Sequence, residues 1–170
     1  MYTTTLNQIR ENHACERGYD LIANHVGNDF EGTIDLRTIL EVNGMSDCIW
    51  ALRATSGGKE LSIAFAIYCS QRYYSELTWI KWARKWMIGK DRSKAAADAA
   101  SAVAAYAAAN ASANAYAAAY AAACAASANA AGAANAAALA ASDSVASSAR
   151  ADAYAAERKW QQELLLSLLS

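Results

Sequence analysis

The sequence predicts an all-α protein, with a bundle of short helices over residues 1–90 followed by close-packed alanine-rich helices over 91–170. Three observations carry this expectation. No proline occurs in 170 residues, where about one in twenty would be usual for a chain of mixed turns and strands. From Lys94 to Glu157 more than half of the residues are alanine, the strongest helix former. The first ninety residues arrange their large apolar side chains at three- and four-residue spacing, punctuated by glycine, asparagine and serine. That is the signature of short one-sided helices.

The elements follow in order. Thr5 and Gln8 form a T-x-x-Q capping box, so a short helix containing Leu6 and Ile9 is expected to end near Asn12. A second helix puts Cys15, Tyr19, Ile22 and Val26 on one face and stops at Gly27. A third starts at Asp35, aligns Leu36, Ile39 and Leu40, and ends at Asn43-Gly44. Ser46 is the expected cap of a fourth, which runs through Asp47, Ile49, Trp50 and Arg53 to a tight reversal at Ser56-Gly57-Gly58. From Lys59, the segment Leu61 to Cys69 is apolar on every side, as in a central helix surrounded by others, and it is too short to span a bilayer. Ser75 is the expected N-cap of a helix from Leu77 to Ile88, and Gly89 to Arg92 is the expected domain boundary.

In the alanine-rich half the larger side chains recur every four residues and then slip phase. Lys94, Asp98, Tyr106, Asn110 and Asn114 form one register; Tyr116, Tyr120 and Cys124 form a second. Asn135, Leu139, Asp143 and Ser147 form a third, and Arg150, Tyr154, Arg158 and Gln162 a fourth. One unbroken helix from Lys94 to Glu157 would be about 95 Å long with little apolar area to bury. Two or three helices folded back on one another are therefore expected, with breaks at Asn110–Asn114, Asn129–Asn135 and Ser142–Ser144. The alanines between larger residues leave grooves that another helix can enter closely. Trp160, Leu164, Leu165, Leu168 and Leu169 then form an apolar stripe that must dock on this chain or on a second copy.

Composition removes several classes of function. Fifteen basic and sixteen acidic residues give a formal net charge of −1, so no global field attracts nucleic acid. Cys15, Cys48, Cys69 and Cys124 are widely separated, unlike the C-x-x-C pairs of zinc and redox sites, and read as small buried apolar residues. Met1 to Arg10 lacks a basic-then-apolar leader, and a reducing cytoplasmic location is the expectation. The uncharged alanine tract exceeds a bilayer span, but Asn110, Asn114, Asn129 and Asn135 would enter lipid at a cost, so no membrane association is expected.

No catalytic constellation emerges. Ser56-Gly57-Gly58-Lys59-Glu60 lacks the first glycine of a phosphate-binding loop and the Ser/Thr after its lysine. His13 and Cys15 are two residues apart, whereas ligands on one helix face need three or four. His13 and His25 adjoin no nucleophile motif, and Asp20, Glu31 and Asp35 read as ordinary surface acids. The expectation is a non-enzymatic protein with no metal and no cofactor.

The sharpest local feature is Trp79-Ile80-Lys81-Trp82-Ala83-Arg84-Lys85-Trp86, followed by Lys90, Arg92 and Lys94. On a helix Trp79, Trp82 and Trp86 share one side, and Lys81, Arg84 and Lys85 another. Segregation of this kind fits a core face backed by solvated cations. It also fits a partner-binding surface made of Trp79, Lys81, Trp82, Arg84, Lys85, Trp86, Lys90 and Arg92. Interleaved aromatics and cations can bind single-stranded nucleic acid too, but a protein partner is the leading expectation.

Leu36-Arg37-Thr38-Ile39-Leu40-Glu41-Val42-Asn43-Gly44, with Asp47-Cys48-Ile49-Trp50-Ala51-Leu52-Arg53, resembles the helical N-terminal part of alanine-rich phage and bacterial proteins. These include a group described as Imm-5-like immunity proteins; the alanine tract and the ending Gln162-Glu163-Leu164-Leu165 are similar too. The resemblance implies a protein that binds another protein, as an immunity protein or phage anti-defence inhibitor does. It supplies no catalytic motif. The alternatives are a structural, oligomerising module built on the Trp160–Leu169 stripe and, more weakly, nucleic-acid binding through the Trp/Lys/Arg helix.

Overall fold

A computed structural model describes residues 1–71, 75–97 and 151–170, with the side chains of 151–154 left aside. Over these residues the fold is all-α, with one very short strand pairing. The helices are α1 (Leu6–Glu11), α2 (Glu16–Val26), α3 (Leu36–Asn43), α4 (Met45–Ala51), α5 (Gly58–Gln71), α6 (Leu77–Met87) and α7 (Ala151–Leu168); a 3₁₀ turn, Leu52–Ala54, links α4 to α5. The expected breaks in the alanine tract, Cys124 and the registers from Asp98 to Arg150 lie outside the described residues. The tract is described at its two ends: residues 94–97 are helical, with the Ser93 hydroxyl accepting from the Ala96 N–H at 3.3 Å, and its last residues, from Ala151, belong to α7. No helix among the described residues is long and apolar enough to cross a membrane.

Local chemistry explains most boundaries. The Thr5 hydroxyl accepts from the Gln8 N–H at 3.1 Å, opening α1 as the capping box requires. The helix closes at Asn12, after which His13 takes a positive φ of 61°. His13 N–H donates to the Arg10 carbonyl at 3.0 Å and Ala14 N–H to that of Ile9 at 3.3 Å. This paired reversal is one that glycine usually makes. Asp35 caps α3 by accepting from the Arg37 N–H at 2.9 Å.

Two expectations need correction here, and the expected glycine reversal gains detail. Ser46 does not cap α4: Gly44, with φ 87°, ends α3 and begins α4 at once, and no side-chain cap is made. A one-residue corner with positive φ leaves the serine already inside the helix. Cys15 is exposed and serves as the N-cap of α2, its sulfur accepting from the Gly18 N–H at 3.4 Å, whereas Cys48 and Cys69 are buried as expected. The reversal before α5 uses its two glycines differently. Gly57 has φ 73°, while a Cβ on Gly58 would collide with the Leu52 carbonyl.

The strands are Thr3–Thr4 (β1) and Ile34–Asp35 (β2), antiparallel, with Thr3 opposite Asp35 and Thr4 opposite Ile34. Two residues each give no alternation to read in the sequence. They fasten the chain start to the bundle: Thr4 is buried and its hydroxyl donates to the Ala54 carbonyl at 2.7 Å, while Leu36 N–H donates to Tyr2 at 3.0 Å.

A single core joins these elements. Leu6, Ile9, Ile22, Leu36, Ile39 and Leu40 from α1–α3 pack with Phe65, Ile67 and the α6 tryptophans. Leu165 and Leu169 of α7 are buried in the same core, and the Arg37 guanidinium donates to the Leu169 carbonyl at 3.2 Å, so α7 docks on its own chain.

Candidate functional site

The expected binding helix is α6, and its start fixes the phase of everything on it. Glu76, not Ser75, is the N-cap: its carboxylate accepts from the Trp79 N–H at 2.8 Å. An ionised acceptor at a helix N-terminus is favoured over a hydroxyl by the aligned peptide dipoles. The Trp79 amide holds the Glu76 carboxyl below the usual carboxylate range; Thr78 and the nearby Lys81 charge act in the same direction against a desolvation cost.

With that phase, Trp79, Trp82 and Trp86 all face inward. Trp79 is 0% exposed, and its ring meets that of Trp82 at 5.9 Å between centroids in a tilted arrangement. Among the residues expected to bind a partner, these three belong to the core, because an amphipathic helix gains most by burying its largest apolar groups. The indole N–H of Trp82 is buried and finds no acceptor among the described residues.

The outer face carries Lys81, Arg84 and Lys85, all exposed. Among the described residues none forms an ion pair, although Lys81 acts electrostatically on Glu76 and Lys85 on Asp91. Bracketing them are two apolar residues absent from the expected site: Leu77, 69% exposed, and Ile88, 65% exposed. Residues 77, 81, 84, 85 and 88 fall within an arc of about 100° on a helical projection. The outer face is therefore a strip of three cations with an apolar side chain at each end. A signal for Leu77 and Ile88 was present in the sequence, since both are out of phase with the tryptophans.

Beyond α6 the chain turns by a second paired reversal. Gly89 has φ 71°; its N–H donates to the Trp86 carbonyl at 3.0 Å, and Lys90 N–H donates to that of Lys85 at 2.9 Å. Lys90 is exposed, while Arg92 is folded back: its guanidinium lies 4.6 Å from the Trp86 ring centroid and its Nε donates to the Trp86 carbonyl at 3.3 Å. The Ser93 hydroxyl and amide both donate to Asp91 Oδ1, at 2.7 and 3.1 Å, and hold its carboxyl below the usual range. Five cations thus stand against Glu76 and Asp91 between positions 76 and 92.

The second expected contact surface, on α7, is largely spent within the molecule. Leu165 and Leu169 are buried, and Trp160, Leu164 and Leu168 are half-buried against the core. Leu166, on the other side of the helix, is more exposed. Among the described residues no group of three His, Cys, Asp or Glu is placed to hold a metal ion.

Compared with protein-family models, curated proteins and solved structures, the chain matches none.

Proposed function

We propose that the chain is a non-enzymatic protein that works by binding an acidic surface of another protein through the outer face of α6. The observation that carries this reading is the strip Leu77, Lys81, Arg84, Lys85, Ile88, set on a helix whose opposite face is anchored in the core by three tryptophans. Leu77 and Ile88 are about 16 Å apart along the helix. Two apolar contacts at that separation with cations between them match a partner that presents carboxylates between two shallow apolar sites. A rigid helix loses little freedom on binding, which favours affinity.

Burial of the tryptophans weakens the nucleic-acid reading, because single-strand binding draws on exposed aromatics for base stacking. Burial of Leu165 and Leu169 likewise weakens self-association through α7. The resemblance to alanine-rich phage and bacterial proteins supports an inhibitor or immunity role, in which occupying the partner is itself the activity. A reducing cytoplasm suits the free thiols of Cys15 and Cys48.

The test is stoichiometric capture from the native host, followed by reconstitution with the purified partner. The charge-reversed variant Lys81→Glu/Arg84→Glu/Lys85→Glu and the variant Leu77→Ser/Ile88→Ser are each expected to weaken the complex at least about tenfold, as loss of one or two hot spots does. Binding unaffected by both variants would overturn the reading. Salt-dependent retention of nucleic acid alone, lost in the charge-reversed variant, would replace it with the nucleic-acid alternative.

A further inference from the structure

On the α1–α4 side of the molecule a pocket of about 200 Å³ opens between α2, α3 and α4. None of its lining residues belongs to α6. Its walls are apolar, contributed chiefly by Ile9, Ile22, Ile39 and the half-buried Trp50. Its polar side chains are Asn43, Ser46, Asp47 and Arg53, with the Cys15 thiol. The Asn43 amide nitrogen donates to the Gly18 carbonyl at 2.7 Å and to Asp47 Oδ2 at 3.0 Å, which fixes the orientation of the amide. The other amide atom, Asn43 Oδ1, is enclosed and has no hydrogen-bond partner among the described residues. A buried acceptor of this kind is normally satisfied by protein, water or ligand.

Asp47 stands in the first turn of α4, where the helix dipole favours a carboxylate, and it forms no ion pair among the described residues. Arg53 also lines the pocket, at the Trp50 side: its guanidinium lies 5.0 Å from the Trp50 ring centroid and its Nε donates to the Trp50 carbonyl at 3.2 Å. Gly18 completes the arrangement. Inside a helix glycine costs stability relative to alanine, yet a Cβ here would come within 3.0 Å of Asp47 Oδ2 and 3.2 Å of the Cys15 sulfur. The missing side chain keeps the approach to the carboxylate open.

We infer that this pocket binds a small organic ammonium compound with an apolar body, its N–H groups given to Asp47 and its body set against the isoleucines and Trp50. The ammonium N–H groups and charge suit the Asp47 carboxylate, which has no ion-pair partner among the described residues and stands beside apolar walls. Ligand pockets for drug-sized molecules run from roughly 300 Å³ upward, so the size of this one selects a compound with a single ring or a short alkyl chain. Ordered water alone is the competing occupant.

The test titrates the ¹⁵N-labelled full chain with phenethylamine and, separately, with phenethyl alcohol, which has nearly the same shape and no charge. Saturable shifts at Gly18, Asn43, Asp47 and the Trp50 indole are expected for the amine, with the alcohol at least tenfold weaker. Asp47→Asn is expected to abolish that preference, and Gly18→Ala to weaken amine binding by obstructing the carboxylate. The charge-reversed α6 variant is expected to bind the amine like the wild type, so failure here and failure of the α6 reading are separate results. No saturable shift in the wild type, or equal affinity for amine and alcohol, overturns the inference and leaves a water-filled pocket. Should Asp47→Asn fail to fold, the wild-type comparison of amine with alcohol decides alone.

Discussion

Helices α5 and α6 contribute to one core and use it in opposite ways. In α5, Leu61, Ile63, Phe65, Ala66 and Ile67 are buried around nearly the whole circumference, and even Ser62 and Ser70 are enclosed. The Ser62 hydroxyl is satisfied by the Gly58 carbonyl at 2.7 Å. In α6 only one side is enclosed, and the other presents Leu77, Lys81, Arg84, Lys85 and Ile88 to solvent. Packing dictates the residues of a helix surrounded on all sides, so α5 says little about function. Residues on the open side of α6 are not required by the core. Two exposed apolar side chains flanking three cations there are a chemical signal that stability does not explain.

The largest test of this contrast is truncation of the core. Phe65→Ala in α5 and Trp79→Ala in α6 are each expected to cost about 3–5 kcal/mol of unfolding free energy in urea titrations, since both side chains are fully buried. Alanine at Lys81, Arg84 or Lys85 is expected to stay within about 0.5 kcal/mol of the parent. A large loss at any of the three would show that the open face is structural after all. An intermediate effect is expected at the cap. Glu76→Ala is expected to cost about 1 kcal/mol near neutral pH. The folded state lowers the Glu76 carboxyl below its ordinary value of about 4.5, so this contribution is complete above that pH and lost as pH falls through the folded value. Variant and parent should therefore converge in acid, as followed by urea midpoints at several pH values.

The smallest energetic effect comes from the thiols, which mark the same division between closed and open surface. Burial, aided by the Asp35 charge, pushes the Cys48 thiol up to about 12, and its S–H donates to the Leu36 carbonyl at 3.3 Å. A disulfide reagent at pH 8 is expected to modify exposed Cys15 in the folded protein while leaving Cys48 untouched until the chain unfolds. Mass spectrometry of the labelled peptides distinguishes the two sites. Rapid labelling of Cys48 under native conditions would contradict its enclosure.

Much of the architecture was legible because it depends on local chemistry. Thr5 with Gln8, the stops at Gly27 and Gly44, the all-round apolar Leu61–Cys69 segment and the tryptophan phase of α6 are each decided within one or two turns of chain. Choices between near neighbours were not. Ser46 and Ser75 are good capping residues by type, yet a corner at Gly44 and the carboxylate of Glu76 took their places, because the chain direction into each helix is set by what it packs against. The candidate face was half legible: its cations were clear, but the tryptophans grouped with them turned inward, and Leu77 and Ile88 were missed.

By itself the sequence determined an all-α fold, the order of the N-terminal helices and the side of α6 that bears charge, since helix propensity, capping and periodicity act over a few residues. Only the tertiary structure decided that Leu165 and Leu169 return to the N-terminal core, that two-residue strands fasten Thr3 and Thr4 to Ile34 and Asp35, and that Gly18, Asn43 and Asp47 surround one pocket. Those outcomes join residues from 25 to more than 100 positions apart. Their free energy comes from excluding water between surfaces that local patterning makes apolar but cannot pair.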